Sequence, residues 1–175
     1  MMALSKKWQL SALEYHVDFL IAPVLFGLAI WLAPVSPWQI ILGVLAWSFA
    51  EYGVHRFLFH KRFRRDHWAH HVNATAYIGI SGIQVGLAYT LLLLPAWWLK
   101  LTSVYAGFMF GYFAYMALHY AMHRPLSWLG RMIDSLVRNH EMHHLKGFEK
   151  NFGVTSPLWD LVFRTYVRPL PVSAG

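Results

Sequence analysis

The histidines are the residues whose spacing could do chemistry. Ten of the eleven histidines fall into four short clusters with the spacings HxxxxH, HxxHH, HxxxH and HxxHH. In chain order the clusters are His55 and His60; His67, His70 and His71; His119 and His123; and His140, His143 and His144. Residues at positions i, i+3 and i+4 of an α-helix share one face. We therefore expect both triplets and the HxxxH pair each to direct their imidazoles as a unit.

The first pair has a different spacing. His55 and His60 are five residues apart, which separates them by about 140° around an ideal α-helix. They are expected to converge only near a helix end or across a bend. Gly53, two residues before His55, permits such an adjustment.

These clusters predict a transition-metal site. Neutral imidazole suits iron, zinc, copper and nickel, whereas magnesium and calcium prefer oxygen ligands. The chain has no cysteine, so only His, Asp or Glu could bind such an ion. Ten imidazoles are too many for one ion and fit two ions with about five nitrogens each. A pH sensor is the alternative for histidines near a membrane surface, but a sensor needs no repeated HxxHH spacing. His16 stands alone and is expected to be an ordinary packed or surface histidine.

The composition indicates a membrane protein. The 175 residues are 57% hydrophobic and 17% aromatic, and only 13% are charged, against about 25% in a typical soluble domain. A chain this short cannot bury so much apolar surface within itself. The net charge is +7, and the basic residues lie between apolar runs. Contact with a membrane surface explains this placement better than binding to nucleic acid does. No nucleic-acid partner is expected.

Four apolar runs set the expected architecture, at about 19–33, 38–50, 78–94 and 104–118. A helix that crosses the bilayer core needs around 20 apolar residues. The second and fourth runs are shorter, but each continues into a segment that carries histidines. The pattern predicts about four transmembrane helices in two hairpins. A pair of re-entrant hairpins that do not fully cross is the alternative.

The predicted fold class is all-α, in a single integral membrane domain over 1–175. Its expected parts are a first hairpin at 18–50, a first histidine segment at 51–76, a second hairpin at 77–118, a cytoplasmic helical cap carrying histidines at 119–168 and a tail at 169–175. The N-terminal residues lack the pattern of a cleavable signal peptide.

The basic residues predict the orientation. In the four-span arrangement, 14 of the 15 Lys and Arg lie on the side that carries the histidine clusters, and only Lys100 lies on the other. The positive-inside rule makes the crowded side cytoplasmic. Both termini and the metal site are therefore expected in the cytoplasm. The basic run at 61–65 is expected against anionic headgroups, which makes membrane lipids a partner.

Three segments resemble the fatty acid hydroxylase superfamily, which includes fatty acid hydroxylases, sterol desaturases and carotenoid hydroxylases. They are EYGVHRFLFH at 51–60, NHEMHH at 139–144 and NFGVTSPLWD at 151–160. The resemblance covers about 51–166. One HxxHH motif is weak support, but four histidine boxes together with the Asn-Phe-Gly and Trp-Asp elements are specific.

The resemblance implies a helical membrane scaffold capped by a cytoplasmic dimetal site. It implies that the ten box histidines bind two metal ions, with iron expected for activity and zinc possible in isolated protein. The implied reaction hydroxylates an unactivated C–H bond of a lipid with O₂. The substrate stays open among fatty acyl, sphingolipid, sterol and carotenoid lipids. Electrons are expected from a separate ferredoxin- or cytochrome b5-like protein.

Two of the spacings between histidines favour different branches of this superfamily. Only six residues separate His60 from His67, which is closer to bacterial carotenoid hydroxylases. Three residues separate His119 from His123, which favours the fatty acid and sterol branch.

The proposed chemistry needs no catalytic side chain separate from the metal ligands, and no Ser-His-Asp order is present. A ligating histidine usually donates its other N–H to a carboxylate or carbonyl. The candidates to support the ligands are Glu51, Glu141, Asp160 and Asn151. Asp66 and Asp134 are further candidates, and helix capping or surface charge is the alternative role for the carboxylates.

A lipid desaturase with the same site is one rival function. A non-catalytic metal-binding or transport protein is another, although the apolar runs hold almost no ionisable residues.

Overall fold

The computed structural model describes residues 9–124, 127–146 and 149–169. Within these ranges the chain is helical, and an isolated antiparallel bridge between Gln9 and Ile78 is the only β-pairing there. The α-helices are α1 (Ala12–His16), α2 (Asp18–Leu32), α3 (Pro37–Gly53), α4 (Arg64–Val72), α5 (Gly82–Trp98), α6 (Thr102–Met122), α7 (Trp128–Met132), α8 (Asp134–Lys146) and α9 (Leu158–Val162). A π-helical segment, Val54–Arg62, continues α3. The all-α class predicted from the sequence is confirmed for these residues.

Helix α6 is the centre of the bundle. It packs against α2 and α3 and more lightly against α5, which also packs against α2. Its own core residues include Tyr105, Ala106, Met109 and Tyr112, all buried. The surrounding helices expose large apolar side chains on their outer faces: Leu20, Trp31, Leu42, Leu45, Leu87, Leu91 and Leu94. Apolar surface this extensive normally lies against lipid or a partner.

Two glycines set the close approach of α3 and α6. A Cβ atom on Gly43 would overlap the carbonyl oxygen of Val104, and one on Gly107 would overlap the carbonyl oxygen of Ile40. Small residues at such crossings let two helix backbones meet directly. This contact fixes α3 against α6 and therefore fixes the positions of the histidines that follow both helices.

The two short loops of the bundle lie at one end, and the histidine segments lie at the other. The backbone N–H of Ser36, between α2 and α3, donates to Ser103 Oγ at the start of α6 over 3.0 Å. Helix α5 begins at Gly82 rather than near Ile78, because Ile78 pairs with Gln9 in the isolated bridge. It also continues through Pro95 to Trp98.

One helical stretch in the described part of the chain is long and apolar enough to cross a membrane by itself, and it runs from Ala12 to Leu32. Gly82–Trp98 is apolar but shorter. Helices α3 and α6 do not meet this test. The four-span arrangement therefore stays a prediction.

The glycine contact gives a test of the bundle. Gly107→Ala should lower the thermal midpoint of the purified protein by several degrees, because overpacking at a tight contact costs about 1–3 kcal/mol. Gly27→Ala is the matched control, since no atom lies within 4 Å of a Cβ placed there. It should leave the midpoint unchanged or raise it slightly, because Ala favours helix over Gly. Equal effects of the two substitutions would contradict the close crossing.

Candidate metal centre

The π-helical segment aligns the first pair of histidines. In a π-helix the backbone bonds from residue i to i+5, and the N–H of Phe63 donates to Leu58 O over 2.7 Å in this register. His55 and His60 therefore lie one π-turn apart, with ring centroids separated by 4.9 Å. The sequence predicted that they converge only near a helix end or across a bend. They lie in the last turns before the helical stretch ends at Arg62, where the widened turn brings the rings together.

The other three clusters lie on α-helices, as their spacing predicted. Helix α4 carries the first HxxHH triplet, and α8 carries the second. His119 lies in the last turn of α6, and His123 is the C-cap of that helix. Phe63 occupies the N-cap position of α4. Asp66, which was considered as that cap, lies in the first helical turn.

The structure brings the ten box histidines into two adjoining groups. The first group consists of His55, His60, His67, His71 and His143, and the second contains His70, His123, His140 and His144. Within each group the candidate ligand nitrogens all lie within 4.8 Å of one another. His119 adjoins the second group, with its Nε2 atom 3.1 Å from Nε2 of His123. The sequence left the division of histidines open, and the geometry places five in the first group and four in the second, with His119 beside the second.

Hydrogen bonding among the imidazoles alone cannot satisfy these contacts. Nε2 of His123 lies 3.1 Å from Nε2 of His70, 3.1 Å from that of His119 and 3.2 Å from that of His140. A ring nitrogen offers either one proton or one lone pair, so it can make only one such hydrogen bond. Two nitrogens bound to one ion at about 2.1 Å and at right angles would be about 3.0 Å apart. The donor set therefore fits a shared cation.

Backbone carbonyls orient two of the imidazoles. Nδ1 of His55 lies 2.6 Å from Phe152 O, and Nδ1 of His143 lies 2.7 Å from Lys150 O. A carbonyl only accepts, so Nδ1 must carry the proton and Nε2 must present its lone pair. Nε2 of His143 is buried and has no hydrogen-bond partner among the described residues. This is the state that a metal ligand requires.

The electrostatics of the clusters also favour neutral imidazole. Burial is the main cause that lowers the pKa of His60 to about 3, of His123 to about 4 and of His144 to about 3. The neighbouring His143 lowers the pKa of His60 further, and Arg124 lowers that of His123 further. These side chains are therefore uncharged near neutral pH and have lone pairs available for a cation.

The candidate supporting carboxylates hold a loop rather than an imidazole. Asp160 is fully buried and accepts from the N–H groups of Phe152 at 2.9 Å and Gly153 at 2.7 Å. Glu51 accepts from the N–H of Val154 at 2.6 Å and from the N–H and Oγ1 of Thr155 at 3.0 and 2.6 Å. These two residues fix the loop whose carbonyls face His55 and His143.

Asn151 shapes the same loop. Its φ of 54° is left-handed, and its side chain bonds to both backbone groups of Val167, at 2.9 and 2.6 Å. Glu141, by contrast, is exposed on α8 and belongs to neither histidine group. The sequence reasoning missed the carbonyls of Lys150 and Phe152, since backbone acceptors have no side-chain signature. The Asn-Phe-Gly and Trp-Asp elements were the available signal.

His16 lies outside both groups. It is half-buried in α1, with Nδ1 at 2.8 Å from Ala12 O and its ring among those of Tyr15, Tyr77 and Tyr120.

A cavity of about 300 Å³ adjoins the histidines. Four of them form part of its wall: His55, His67, His70 and His119. Most of the remaining wall is apolar or aromatic, and includes Phe19, Trp47, Phe59, Ile78, Val85, Phe108, Tyr115 and Met116. Helices α2, α3, α5 and α6 all contribute to it.

Residues 40–165 match the sequence model of the fatty acid hydroxylase family. The chain belongs to the fatty acid hydroxylase family. It is 33% identical over 155 residues to the ceramide very long chain fatty acid hydroxylase SCS7 of Saccharomyces cerevisiae, covering 73% of this chain and 38% of that protein. It is 33% identical over 148 residues to the dihydroceramide fatty acyl 2-hydroxylase FAH2 of Arabidopsis thaliana, covering 72% and 59%. The chain thus spans less than two thirds of these relatives.

A solved structure shares the fold of this hydroxylase family member. It is that of full-length scs7p, in which only the hydroxylase domain is visible. The two structures have a TM-score of 0.65 and 30% sequence identity, and the match covers 92% of this chain and 69% of that chain. The superfamily resemblance seen in the sequence is thereby confirmed.

Metal content tests the site. Protein purified without chelators should carry about two equivalents of iron or zinc. His143→Ala should lose a large part of this metal, because the neighbouring imidazoles already point elsewhere and cannot replace its Nε2. His16→Ala is the matched control and should retain the full content. Equal loss of metal in both variants, or metal-free protein with an intact fold, would contradict the assignment of the ten box histidines as metal ligands.

Proposed function

We propose that this chain is a membrane-bound dimetal oxygenase that hydroxylates an unactivated C–H bond of a fatty acyl lipid, using O₂ and external electrons. The cavity carries this proposal, because histidines and apolar side chains line the same space. A lipid chain is the ligand that such walls accept. The relatives named as ceramide and fatty acyl hydroxylases support the same class of substrate.

We assign one ion to each histidine group. His55, His60, His67, His71 and His143 would hold the first, and His70, His119, His123, His140 and His144 the second. Iron is the expected metal for activity, and zinc could occupy the same imidazoles in isolated protein. When bound, a pair of redox-active ions supplies the means to reduce O₂ and to oxidise a C–H bond.

The chain's own contribution is placement and exclusion of water. The aromatic residues Trp47, Phe59 and Phe108 line the cavity and keep it apolar, so a hydrocarbon chain displaces water at little cost. Four of the histidines form part of the same wall. A carbon of the bound lipid chain can then come close to the metal ions. The proposed reaction needs no nucleophilic or acid–base side chain.

The loop at 150–155 keeps the imidazoles in position during this chemistry. Its carbonyls hold Nδ1 of His55 and His143, and the buried carboxylates of Glu51 and Asp160 hold the loop. Outer contacts of this kind fix the tautomer and direction of a ligand. We propose this loop-holding role for Glu51, Asp160 and Asn151.

The outer apolar faces of α2, α3 and α5 support an integral membrane location. We propose four spans, with the histidine groups and both termini on the cytoplasmic side. A donor protein of the ferredoxin or cytochrome b5 type would supply electrons from that side, and the basic run at 61–65 would lie against anionic headgroups.

Lipid analysis tests the reaction. Cells that express the chain should accumulate hydroxylated acyl lipids, and cells that express His143→Ala should show only the background level. His16→Ala should match the unmodified chain when equal amounts reach the membrane. A product that has lost two hydrogens would show desaturation instead. Full metal content with no new lipid product would favour a non-catalytic metal protein.

Reporter fusions test the topology. A reporter joined after the last residue should report a cytoplasmic location, because 14 of the 15 Lys and Arg lie on the histidine side. A second reporter inserted beside Lys100 should report the opposite side. A cytoplasmic signal from both fusions would instead favour re-entrant hairpins.

A further inference from the structure

A second cavity, of about 460 Å³, lies at the end of the bundle opposite the histidines. The loops that join α2 to α3 and α5 to α6 form it, together with the first residues of α3 and α6. Donor groups and indole rings line its wall: Ser36, Gln39, Trp97, Trp98, Lys100 and Thr102. The two cavities share no wall residue, so this one is separate from the metal centre.

Two helix N-termini meet at this cavity. Helix α3 begins at Pro37 and α6 at Thr102, and no side chain caps either start. The N–H of Ser36 donates to Ser103 Oγ over 3.0 Å and holds the two starts side by side. The first N–H groups of a helix have no partner within it, and the helix dipole makes this end partly positive. Two such ends together favour an anion.

Lys100 adds a full positive charge at this end. The ranges 19–50 and 77–118 hold no other Asp, Glu, Lys or Arg, so the two hairpins offer it no carboxylate. In the four-span arrangement it also lies on the side where basic residues are disfavoured. A lone cation at this position, without a neutralising group in either hairpin, indicates an anion from outside the chain.

The backbone at Lys100 has the conformation that glycine prefers. Its φ is 59°, in the left-handed region. Its N–H donates to Trp97 O over 3.1 Å, and the N–H of Leu101 donates to Ala96 O over 2.7 Å. These two bonds form a Schellman ending of α5, and glycine is the usual residue at its left-handed position. The chain therefore keeps a lysine where glycine would be less strained.

Thr102 supplies a hydroxyl inside the cavity. The residue is only 3% exposed, and its Oγ1 atom has no hydrogen-bond partner in the part of the chain that the structure describes. This oxygen keeps some accessible surface, unlike the sealed unpaired atoms elsewhere in the bundle, such as Oδ1 of Asp18. Because Thr102 lines the cavity, its hydroxyl faces that space. The side-chain amide of Gln39, in the same wall, is likewise unpaired among the described residues.

We propose that this cavity binds the phosphate group of a phospholipid headgroup. Lys100 pairs with the phosphate charge, and Thr102 Oγ1 and the Gln39 amide donate to phosphate oxygens. The adjoining N-termini of α3 and α6 add their partial positive charge. Phosphate suits this set, because it carries negative charge and accepts several hydrogen bonds at once.

The indole rings indicate a lipid as the source of the phosphate. Trp97 and Trp98 are 55% and 77% exposed beside the cavity. Exposed tryptophans are typical of the membrane–water interface, at the level of the headgroups. The lipid source rests on the four spans proposed above, whereas binding of phosphate rests on the cavity alone.

Binding of three probes to the purified full chain in a neutral detergent tests this site. The probes are dihexanoyl phosphatidic acid, dihexanoylglycerol, which lacks the phosphate, and inorganic phosphate. Calorimetric titration should show that the phosphatidic acid binds at least tenfold more tightly than either of the others. The measurement needs no turnover, so its outcome is separate from that of the proposed reaction.

Lys100→Gly is the decisive variant. It should weaken binding of the phosphatidic acid by roughly tenfold, because a charge-assisted hydrogen bond is lost. Without lipid its thermal midpoint should equal or exceed that of the unmodified chain, because glycine relieves the left-handed backbone. A lysine with a merely structural role would lower the midpoint when replaced. Arg168→Gln is the matched control, since it removes an exposed positive charge from the cap and should leave the affinity unchanged.

Thr102→Val gives a second test. It removes the hydroxyl at nearly constant volume and breaks no hydrogen bond among the described residues, and it should weaken binding several-fold. Full affinity in either the Lys100 or the Thr102 variant would overturn the proposal, as would an equal loss in Arg168→Gln. Inorganic phosphate that binds as tightly as the phosphatidic acid would overturn the lipid source.

Discussion

The repulsion among unprotonated imidazole nitrogens is the constraint on which the site depends. Nε2 of His123 has three other Nε2 atoms at 3.1–3.2 Å, and no arrangement of protons satisfies all of these contacts. Protonation would make matters worse, because burial and mutual repulsion penalise charge on these rings. Only a cation between the nitrogens turns the crowding into stabilisation. Ion binding is therefore expected to contribute to the stability of the cap.

That constraint requires the helices that carry the histidines to be held close together. The histidines that follow α3 and those at the end of α6 are far apart in the sequence. Gly43 and Gly107 bring the backbones of the two helices into direct contact. The loop at 150–155 then closes the assembly from the cap side. Its fixing residues, Glu51 in α3 and Asp160 in α9, lie 109 positions apart in the chain, so the bundle and the cap hold each other.

The sequence was sufficient for the helical class, the four histidine clusters and the family, because helical spacing and residue type carry that information locally. It was insufficient for the division of ten histidines into two groups, since that depends on how α4, α6 and α8 meet in space. The carbonyls of Lys150 and Phe152 were also out of reach.

The first histidine pair shows how a spacing can be reinterpreted. HxxxxH disagrees with the α-helical period, and a pattern search based on i, i+3 and i+4 treats it as two unrelated residues. A local π-turn gives residues i and i+5 a common face, and the π-helical segment Val54–Arg62 contains both histidines. The costlier helix type persists because it lets His55 and His60 enter one group. In a chain that already shows other histidine boxes, a five-residue spacing is thus an indication of π-helix rather than an argument against a shared site.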